Sequence, residues 1–117
     1  MSTKSKNLMR STESEIQRSI LDYLDIRKKK MGYMFWRANT VGIYDPTTKG
    51  FRTMPKYSMS GTPDINLIWN GQYIGLEVKR EKTKQSENQK EFEKQSKEAG
   101  AEYYVVRGID DIIQIGL

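Results

Sequence analysis

Hydrophobic positions recur at helical spacing near the start of the chain. Between Thr12 and Gly32 they fall on one face of a helix, as Ile16, Ile20, Leu21 and Leu24. The segment begins with Thr12-Glu13-Ser14-Glu15, which has the T-x-x-E pattern of a capping box. Gly32 is a suitable C-terminal residue, since glycine adopts the left-handed conformation that often ends a helix. The pattern therefore predicts a helix from Thr12 to Gly32.

Alternating polar and apolar residues predict a β-hairpin in the middle of the chain. Two apolar runs, Ile65 to Trp69 and Tyr73 to Val78, flank Asn70-Gly71. An Asn-Gly pair between such runs is a strong signal for a two-residue type I′ turn. That turn fixes the register, so that Trp69 faces Gln72 and, further along the ladder, Asp64 faces Glu77.

The remaining elements are one helix, two strands and a closing segment. A helix is predicted from Gln85 to Ala99, closed by Gly100, and strands at Tyr33 to Asn39 and Glu102 to Arg107. The second of these strands is continuously apolar at its centre, which favours a covered interior position in the sheet. Ile109 to Ile115 is expected to form a short helix or turn. The resulting αβββαβ order predicts an α/β fold, with a mixed central sheet flanked by helices.

The paired carboxylates of the hairpin are candidates for chemistry. Directly opposite residues have Cβ atoms about 4.5 to 5.5 Å apart, and like charges there are destabilising. A divalent cation such as Mg²⁺ would offset the repulsion between Asp64 and Glu77. Lys79 projects from the same face by strand alternation. The simpler alternative is a hairpin at the sheet edge that is merely charged.

Two helical residues carry polar groups on faces that should be buried. The capping box accounts for Glu15 but leaves Glu13, which shares the apolar stripe and is a candidate third acid; otherwise Glu13 only complements the helix dipole. Gln89 lies on the face of its helix that carries Phe92. It either turns its amide toward the sheet or serves as the capping-box partner of Ser86.

Composition restricts the available chemistry. The 117 residues are enough for one small domain, assigned to 12–117 after a flexible basic arm at 1–11. Cysteine and histidine are both absent, which excludes disulfides, thiolate zinc sites and histidine general bases. The formal charge of +5 favours a nucleic-acid partner. Without a long apolar run, we expect a cytoplasmic protein with no membrane partner and no small-molecule cofactor.

The segment from Thr40 to Ser60 is too long for a passive connection in so small a domain. Its cations are interleaved with aromatic residues, a composition that suits binding of nucleic acid by charge and stacking. The alternative is a local β-ribbon that covers the sheet. The cations are Lys49, Arg52 and Lys56, and the aromatics are Tyr44, Phe51 and Tyr57.

Pro63-Asp64 followed by Glu77-Val78-Lys79 resembles the motif of the PD-(D/E)xK nucleases. The form Gly61-Thr62-Pro63-Asp64 with a later helical Gln89 is similar to the virus-type replication-repair nuclease (VRR-NUC) domain. The resemblance covers most of the chain. It implies a restriction-endonuclease-like core and a metal-dependent phosphodiesterase of a bacterial or phage-infected host cell.

The resemblance also implies roles for individual residues. One or two Mg²⁺ or Mn²⁺ ions would be held by Asp64, Glu77, the carbonyl of Val78 and Glu13. Lys79 would stabilise charge in the transition state, and Gln89 would support the metal site. Contacts to DNA are expected from the six cations and amides Arg37, Asn39, Lys49, Arg52, Lys56 and Arg80. Small stand-alone members of the family are expected to cut branched DNA, such as four-way junctions, as homodimers.

Three other interpretations remain open: a flap- or single-strand-directed nuclease, a DNA-binding protein that has lost catalysis, and restriction-type cleavage of a fixed sequence. The last would need a recognition subdomain, for which little chain is available. Gly42-Ile43-Tyr44 and Tyr73-Ile74-Gly75 also spell the halves of the GIY-YIG nuclease signature. Their separation is too long for that family, and the second half belongs to the predicted hairpin.

Overall fold

A computed structural model describes residues 11–38, 44–45, 50–51 and 56–117. The elements follow the predicted αβββαβ order, with a short closing helix and two additional two-residue strands. The helices are α1 (Glu13–Met31), α2 (Glu87–Glu98) and α3 (Ile109–Ile115), and the strands are β1 (Met34–Arg37), β2 (Tyr44–Asp45), β3 (Gly50–Phe51), β4 (Ile65–Trp69), β5 (Gln72–Val78) and β6 (Glu102–Val106). No described helix is both long enough and apolar enough to cross a membrane.

The first helix begins and ends where its sequence predicts. Thr12 Oγ1 accepts a hydrogen bond from the Glu15 amide at 3.1 Å, and Glu15 Oε1 accepts one from the Thr12 amide at 3.0 Å. This reciprocal pair satisfies two amides that the helix itself leaves unbonded. At the other end Gly32 has the left-handed conformation, with a φ of 82°.

The β4–β5 hairpin has the predicted turn and register. Asn70 and Gly71 both have positive φ, at 53° and 76°, as a type I′ turn requires. Trp69 pairs with Gln72, and the ladder continues to Ile65 opposite Leu76. One step beyond that pair, the same register brings Asp64 opposite Glu77.

The main sheet has the strand order β1-β4-β5-β6, with antiparallel pairing except between β5 and β6, which are parallel. The prediction that Glu102 to Arg107 occupies an interior position is therefore wrong, because β6 is an edge strand among the described strands. Its apolar residues are covered on the faces of the sheet instead. Phe92 of α2 packs against Tyr103, and Val106 joins the main core.

The two faces of the sheet have different roles. One face packs on α1 and α3 and forms the hydrophobic core, whose buried members include Ile20, Leu24, Ile65, Leu67, Ile74, Leu76, Val78 and Ile112. Because side chains alternate along a strand, Asp64 and Glu77 lie on the opposite face. That face is only partly covered by α2, so the carboxylates lie beside open surface.

Within the Thr40 to Ser60 segment, four residues form a short two-stranded ribbon. β2 pairs antiparallel with β3, with Tyr44 opposite Phe51 and Asp45 opposite Gly50. The candidate DNA-contacting residues Asn39, Lys49 and Arg52 lie outside the described residues.

Candidate functional site

The end of the β4–β5 hairpin brings the two central carboxylates together. Asp64 Oδ2 accepts a hydrogen bond from the Val78 amide at 2.8 Å, which fixes its side chain across the end of the ladder. The N–H and C=O groups of a strand residue point in the same direction. The Val78 carbonyl therefore points toward Asp64, as the Val78 amide does. The anchoring of Asp64 by the Val78 amide is not evident from the sequence, where the resemblance gives a role only to the Val78 carbonyl.

Glu77 is a buried carboxylate with incomplete hydrogen bonding. Its relative exposure is 1%. Oε2 accepts a hydrogen bond from Gln89 Nε2 at 3.0 Å and lies 3.9 Å from Lys79 Nζ. Oε1 is buried with no hydrogen-bond partner among the described atoms. A buried acceptor without a partner is costly, so Oε1 marks a position where a ligand would be stabilising.

The surroundings of Glu77 oppose its ionisation. Burial, followed by the neighbouring Asp64 carboxylate, raises the pKa of Glu77 from 4.5 to about 9. The Lys79 ammonium acts in the opposite direction, and the Glu13 charge adds a smaller upward effect on this pKa. Without a cation, the site therefore holds a proton that a metal ion would displace.

The donor set fits a hard divalent cation. Carboxylate and backbone carbonyl oxygens with water are the ligands that Mg²⁺ prefers, and two carboxylates are a usual number. Within 11–38 and 56–117, no three acidic side chains stand close enough together to form a metal site by themselves. The residues that would hold the cation are thus Asp64 and Glu77, with the Val78 carbonyl and water.

Lys79 is held close to this pair by the sheet. Its amide donates to the Val106 carbonyl at 3.0 Å, which extends the β5–β6 ladder by one residue. Its side chain is largely buried, with 8% relative exposure for the residue. A buried ammonium next to Glu77 and on the face of Asp64 is positioned to interact with an anion bound there.

Gln89 performs both of the tasks that its position suggested. Its amide nitrogen atom Nε2 donates to Glu77, while its Oε1 accepts from the Ser86 amide at 2.8 Å. Ser86 Oγ in turn accepts from the Gln89 backbone amide at 3.2 Å, which completes the capping box of α2. The start of α2 is therefore bonded directly to the carboxylate at the end of β5.

Two glycines allow the chain to approach itself at the site. Gly61 has a φ of +75°, and a Cβ there would lie 2.7 Å from the Gln89 backbone nitrogen. Pro63 is fully buried, and a Cβ at Gly75 would lie 2.9 Å from its ring. The loop before Asp64 is thus packed between α2 and β5. The sequence signal was the Gly61-Thr62-Pro63-Asp64 motif, but its packing partners lie more than ten residues away.

A cleft of about 410 Å³ opens beside Asp64, between this loop and the start of α2. Its polar lining is uncharged apart from Asp64 and includes Ser60, Thr62, Ser86, Asn88 and Gln89. Hydroxyl and amide groups suit a polar, hydrogen-bonding ligand next to the carboxylates.

The helical acid Glu13 is half-buried in the first turn of α1. Its charge raises the pKa of Glu77, although Glu13, Asp64 and Glu77 do not form one close cluster. Glu15 is committed to the cap of α1. The assignment of Glu13 as a metal ligand remains a prediction.

The described cations that were predicted to contact DNA lie around the site rather than in it. Arg37 pairs with Ile65 in the β1–β4 ladder, on the face of the sheet opposite to Asp64 and Glu77. The face that carries Arg37 therefore does not border the carboxylates. Lys56 lies over the Tyr57 ring at 5.1 Å, and Lys56 and Arg80 are both exposed. For all three, binding to DNA stays a prediction.

One positioning contact follows directly after Lys79. Arg107 Nη1 donates to the carbonyls of Arg80, at 2.5 Å, and Thr83, at 2.9 Å. Arg107 itself is held by Asp111, whose Oδ2 accepts from the Arg107 amide at 2.7 Å. This clasp fixes the connection between β5 and α2. Sequence reasoning missed it because nothing in the local pattern distinguishes Arg107 from other charged strand ends.

Comparison with known proteins supports the fold. No protein-family model matches the sequence, and no curated protein matches it significantly. A solved structure described as a "VRR_NUC domain" matches with a TM-score of 0.58 and 21% sequence identity, covering 90% of this chain and 95% of that chain. The predicted resemblance is therefore confirmed for the fold, an α/β mixed sheet flanked by helices.

Proposed function

We propose that this chain, which has the fold of a VRR_NUC domain, is a metal-dependent endonuclease that hydrolyses phosphodiester bonds in DNA. The observation that carries the proposal is the buried Oε1 of Glu77, which has no partner among the described atoms and lies on the sheet face of Asp64 and Lys79. Oε1 of this carboxylate is free to bind a cation. The cationic chain, with its formal charge of +5, favours a polyanionic substrate.

Asp64, Glu77 and the Val78 carbonyl would hold Mg²⁺, or Mn²⁺ in its place, and Glu13 is proposed as a further ligand. When bound, the cation supplies Lewis-acid stabilisation of the phosphate and lowers the pKa of a water ligand. Lys79 would neutralise charge that builds on the phosphate oxygens, since its ammonium is already held at the site. Gln89 would keep Glu77 in the orientation that ligation needs.

The preferred substrate is proposed to be branched DNA, such as a four-way junction, cut by a homodimer. A domain of this size has one catalytic centre, whereas resolving a junction takes two symmetry-related cuts, which a twofold dimer would supply. The alternative substrate is a flap or single strand cut by a monomer. Sedimentation of the protein at micromolar concentration, alone and with each DNA, separates the two.

The decisive experiment is a cleavage panel. Single-stranded, duplex, flapped and four-way DNA of matched sequence would be incubated with and without Mg²⁺. Cleavage should require the metal, and Asp64→Asn should abolish it while binding of DNA is retained, because the variant removes a negative charge beside the phosphate. Asp22→Asn, the same change at an exposed position of α1, is the matched control and should cut at the wild-type rate. Metal-independent cutting, or full activity of Asp64→Asn, would refute the assignment.

A further inference from the structure

Three large apolar side chains are exposed on the sheet face that carries the carboxylates. Met34 is 58% exposed, Trp36 43% and Ile68 36%. In the β1–β4 ladder Met34 is opposite Ile68, and Trp36 is opposite Asn66. Met34, Trp36 and Ile68, here called the Trp36 surface, lie on the β1 side of the sheet, whereas α2 packs on the β6 side.

Trp36 is the member of this surface that lies beside the candidate metal ligands. The Ala38 amide donates to the Asp64 carbonyl at 2.8 Å, so the antiparallel alignment of β1 with β4 continues to Asp64. Trp36 and Asp64 are therefore diagonal neighbours on one face. Diagonal neighbours are about 7 to 8 Å apart, within reach of an aromatic side chain. The indole is thus adjacent to the place where a phosphate would bind.

We propose that Trp36 stacks on an unstacked nucleobase next to the phosphate that Lys79 and a cation held by Asp64 and Glu77 would bind. This inference rests on the proposed function and adds a determinant of substrate structure. In continuous duplex both faces of each base are covered by its neighbours. An indole finds a free base face only where stacking is interrupted, as in a single strand, at a flap, at a branch point or at a duplex end. Trp36 therefore makes the site selective for DNA with an unstacked base at the cut.

The position of Trp36 favours a base over a protein partner. Because Trp36 and Asp64 are diagonal neighbours, a protein surface covering the indole would also obstruct access to the carboxylate. A bound strand instead brings a base to the Trp36 surface whenever it brings a phosphate to Asp64. Stacking of a base on an aromatic side chain contributes about 5- to 150-fold in affinity, and it tolerates any base.

The test measures binding without cleavage. Dissociation constants would be determined with Ca²⁺ in place of Mg²⁺, since Ca²⁺ also takes oxygen ligands but without the strict octahedral geometry. Fluorescence anisotropy would be used for flapped DNA and for duplex of the same sequence with hairpin-capped ends. Trp36→Ala should weaken binding of the flap by about 5- to 150-fold, the expected contribution of one stacked base, and leave duplex binding within about twofold. Trp36→Phe should recover most of the loss. Met34→Ala, on the same strand and face but farther from Asp64, is the matched control and should have little effect.

A thermodynamic cycle identifies the base. Single abasic nucleotides would be placed in turn through the flap and around the branch. At one abasic position, the wild-type protein should bind the abasic DNA as weakly as Trp36→Ala binds intact DNA. Trp36→Ala should bind that abasic DNA no more weakly than it binds intact DNA. Trp69 is present in both wild type and Trp36→Phe, so the difference between their fluorescence intensities reports Trp36. Intact DNA should quench the Trp36 fluorescence, and that abasic DNA should not.

Several outcomes would overturn the inference. Equal losses for flap and duplex in Trp36→Ala, or no coupled abasic position, would show that the indole does not read an unstacked base. A shift from dimer to monomer in Trp36→Ala with unchanged DNA selectivity would make the surface a protein interface. If the wild type cleaves DNA but shows no coupling, only this inference fails. If it neither binds nor cleaves any DNA, the proposed function fails with it.

Discussion

Gln89 joins the start of α2 to the buried carboxylate of Glu77 through the two ends of one side-chain amide. Nε2 donates to Glu77 Oε2 at 3.0 Å, and Oε1 accepts from the Ser86 amide at 2.8 Å. A primary amide can do both because its donor and acceptor are separate atoms. The cap that stabilises the helix therefore also orients the carboxylate, and the orientation of Glu77 depends on the helix being formed.

Replacing Gln89 with Met should reduce both stability and activity, whereas Ser86→Ala should reduce stability alone. Ser86→Ala removes one capping acceptor, worth about 1 kcal/mol, and leaves the bond to Glu77. Gln89→Met also leaves Glu77 Oε2 without its amide donor. Thermal denaturation gives the first effect, and cleavage per folded molecule together with calorimetric Mg²⁺ titration gives the second. Equal loss of cleavage in both variants would mean that Gln89 acts only as a cap.

Gly61→Ala should destabilise the protein more than Gly32→Ala. Both glycines have positive φ, at 75° and 82°, so each alanine incurs the strain of the left-handed conformation, about 1 to 2 kcal/mol. A Cβ at Gly32 has nothing within 4 Å, but one at Gly61 meets the backbone of Asn88 and Gln89. The loop before Asp64 must then move away from α2. Melting temperatures compare the two variants, and equal shifts would show that the loop adapts without cost.

The sequence was most informative where the determinants are local. Thr12 and Glu15 are three residues apart and predict their own cap, and the Asn70-Gly71 turn sets a register that carries as far as Asp64 and Glu77. The pairing of the two carboxylates could be predicted from the sequence because the ladder between the turn and these residues is regular. The α2 boundaries were less accurate, since Ser86 rather than Gln85 begins the cap.

Contacts between distant segments were beyond the sequence. The bond of Asp64 to the Val78 amide, the approach of Gly61 to α2 and the Arg107 clasp all depend on how separate elements pack. The edge position of β6 was mispredicted for a related reason. Its apolar residues are buried by helices on the faces of the sheet, and composition does not distinguish that from burial between two strands.

The roles of the two acids in the first turn of α1 should separate by mutation. Glu13→Gln should lose cleavage with little change in melting temperature, because Glu13 is proposed as a metal ligand and takes no part in the cap made by Thr12 and Glu15. Glu15→Gln should lower the melting temperature and keep cleavage per folded molecule, since its carboxylate accepts from the Thr12 amide. The reversed pattern would exchange their roles, and full activity of both variants would remove helix α1 from the metal site.

Glu77→Gln should stabilise the metal-free protein while abolishing cleavage. The fold raises the pKa of Glu77 from 4.5 to about 9, mainly by burial. A group whose pKa is raised on folding contributes stability that is fully present below its unfolded pKa and is lost as the pH rises through its folded pKa. Glutamine does not ionise, and its carbonyl can still accept the bond from Gln89. The advantage of the variant should therefore grow with pH between about 5 and 9, the interval set by the two pKa values.

Melting temperatures in EDTA across this pH range provide the measurement. At pH 8 the variant should melt at least about 4 °C above the wild type, the shift expected from 1 kcal/mol in a small domain. Glu87→Gln, whose side chain is 92% exposed in the native protein, is the control and should follow the wild-type curve. Binding of Mg²⁺ to the wild type should tighten over the same interval, because the cation displaces the proton from Glu77. A constant difference between Glu77→Gln and wild type would mean that Glu77 is already ionised in the folded protein, balanced by Lys79 at 3.9 Å without any metal.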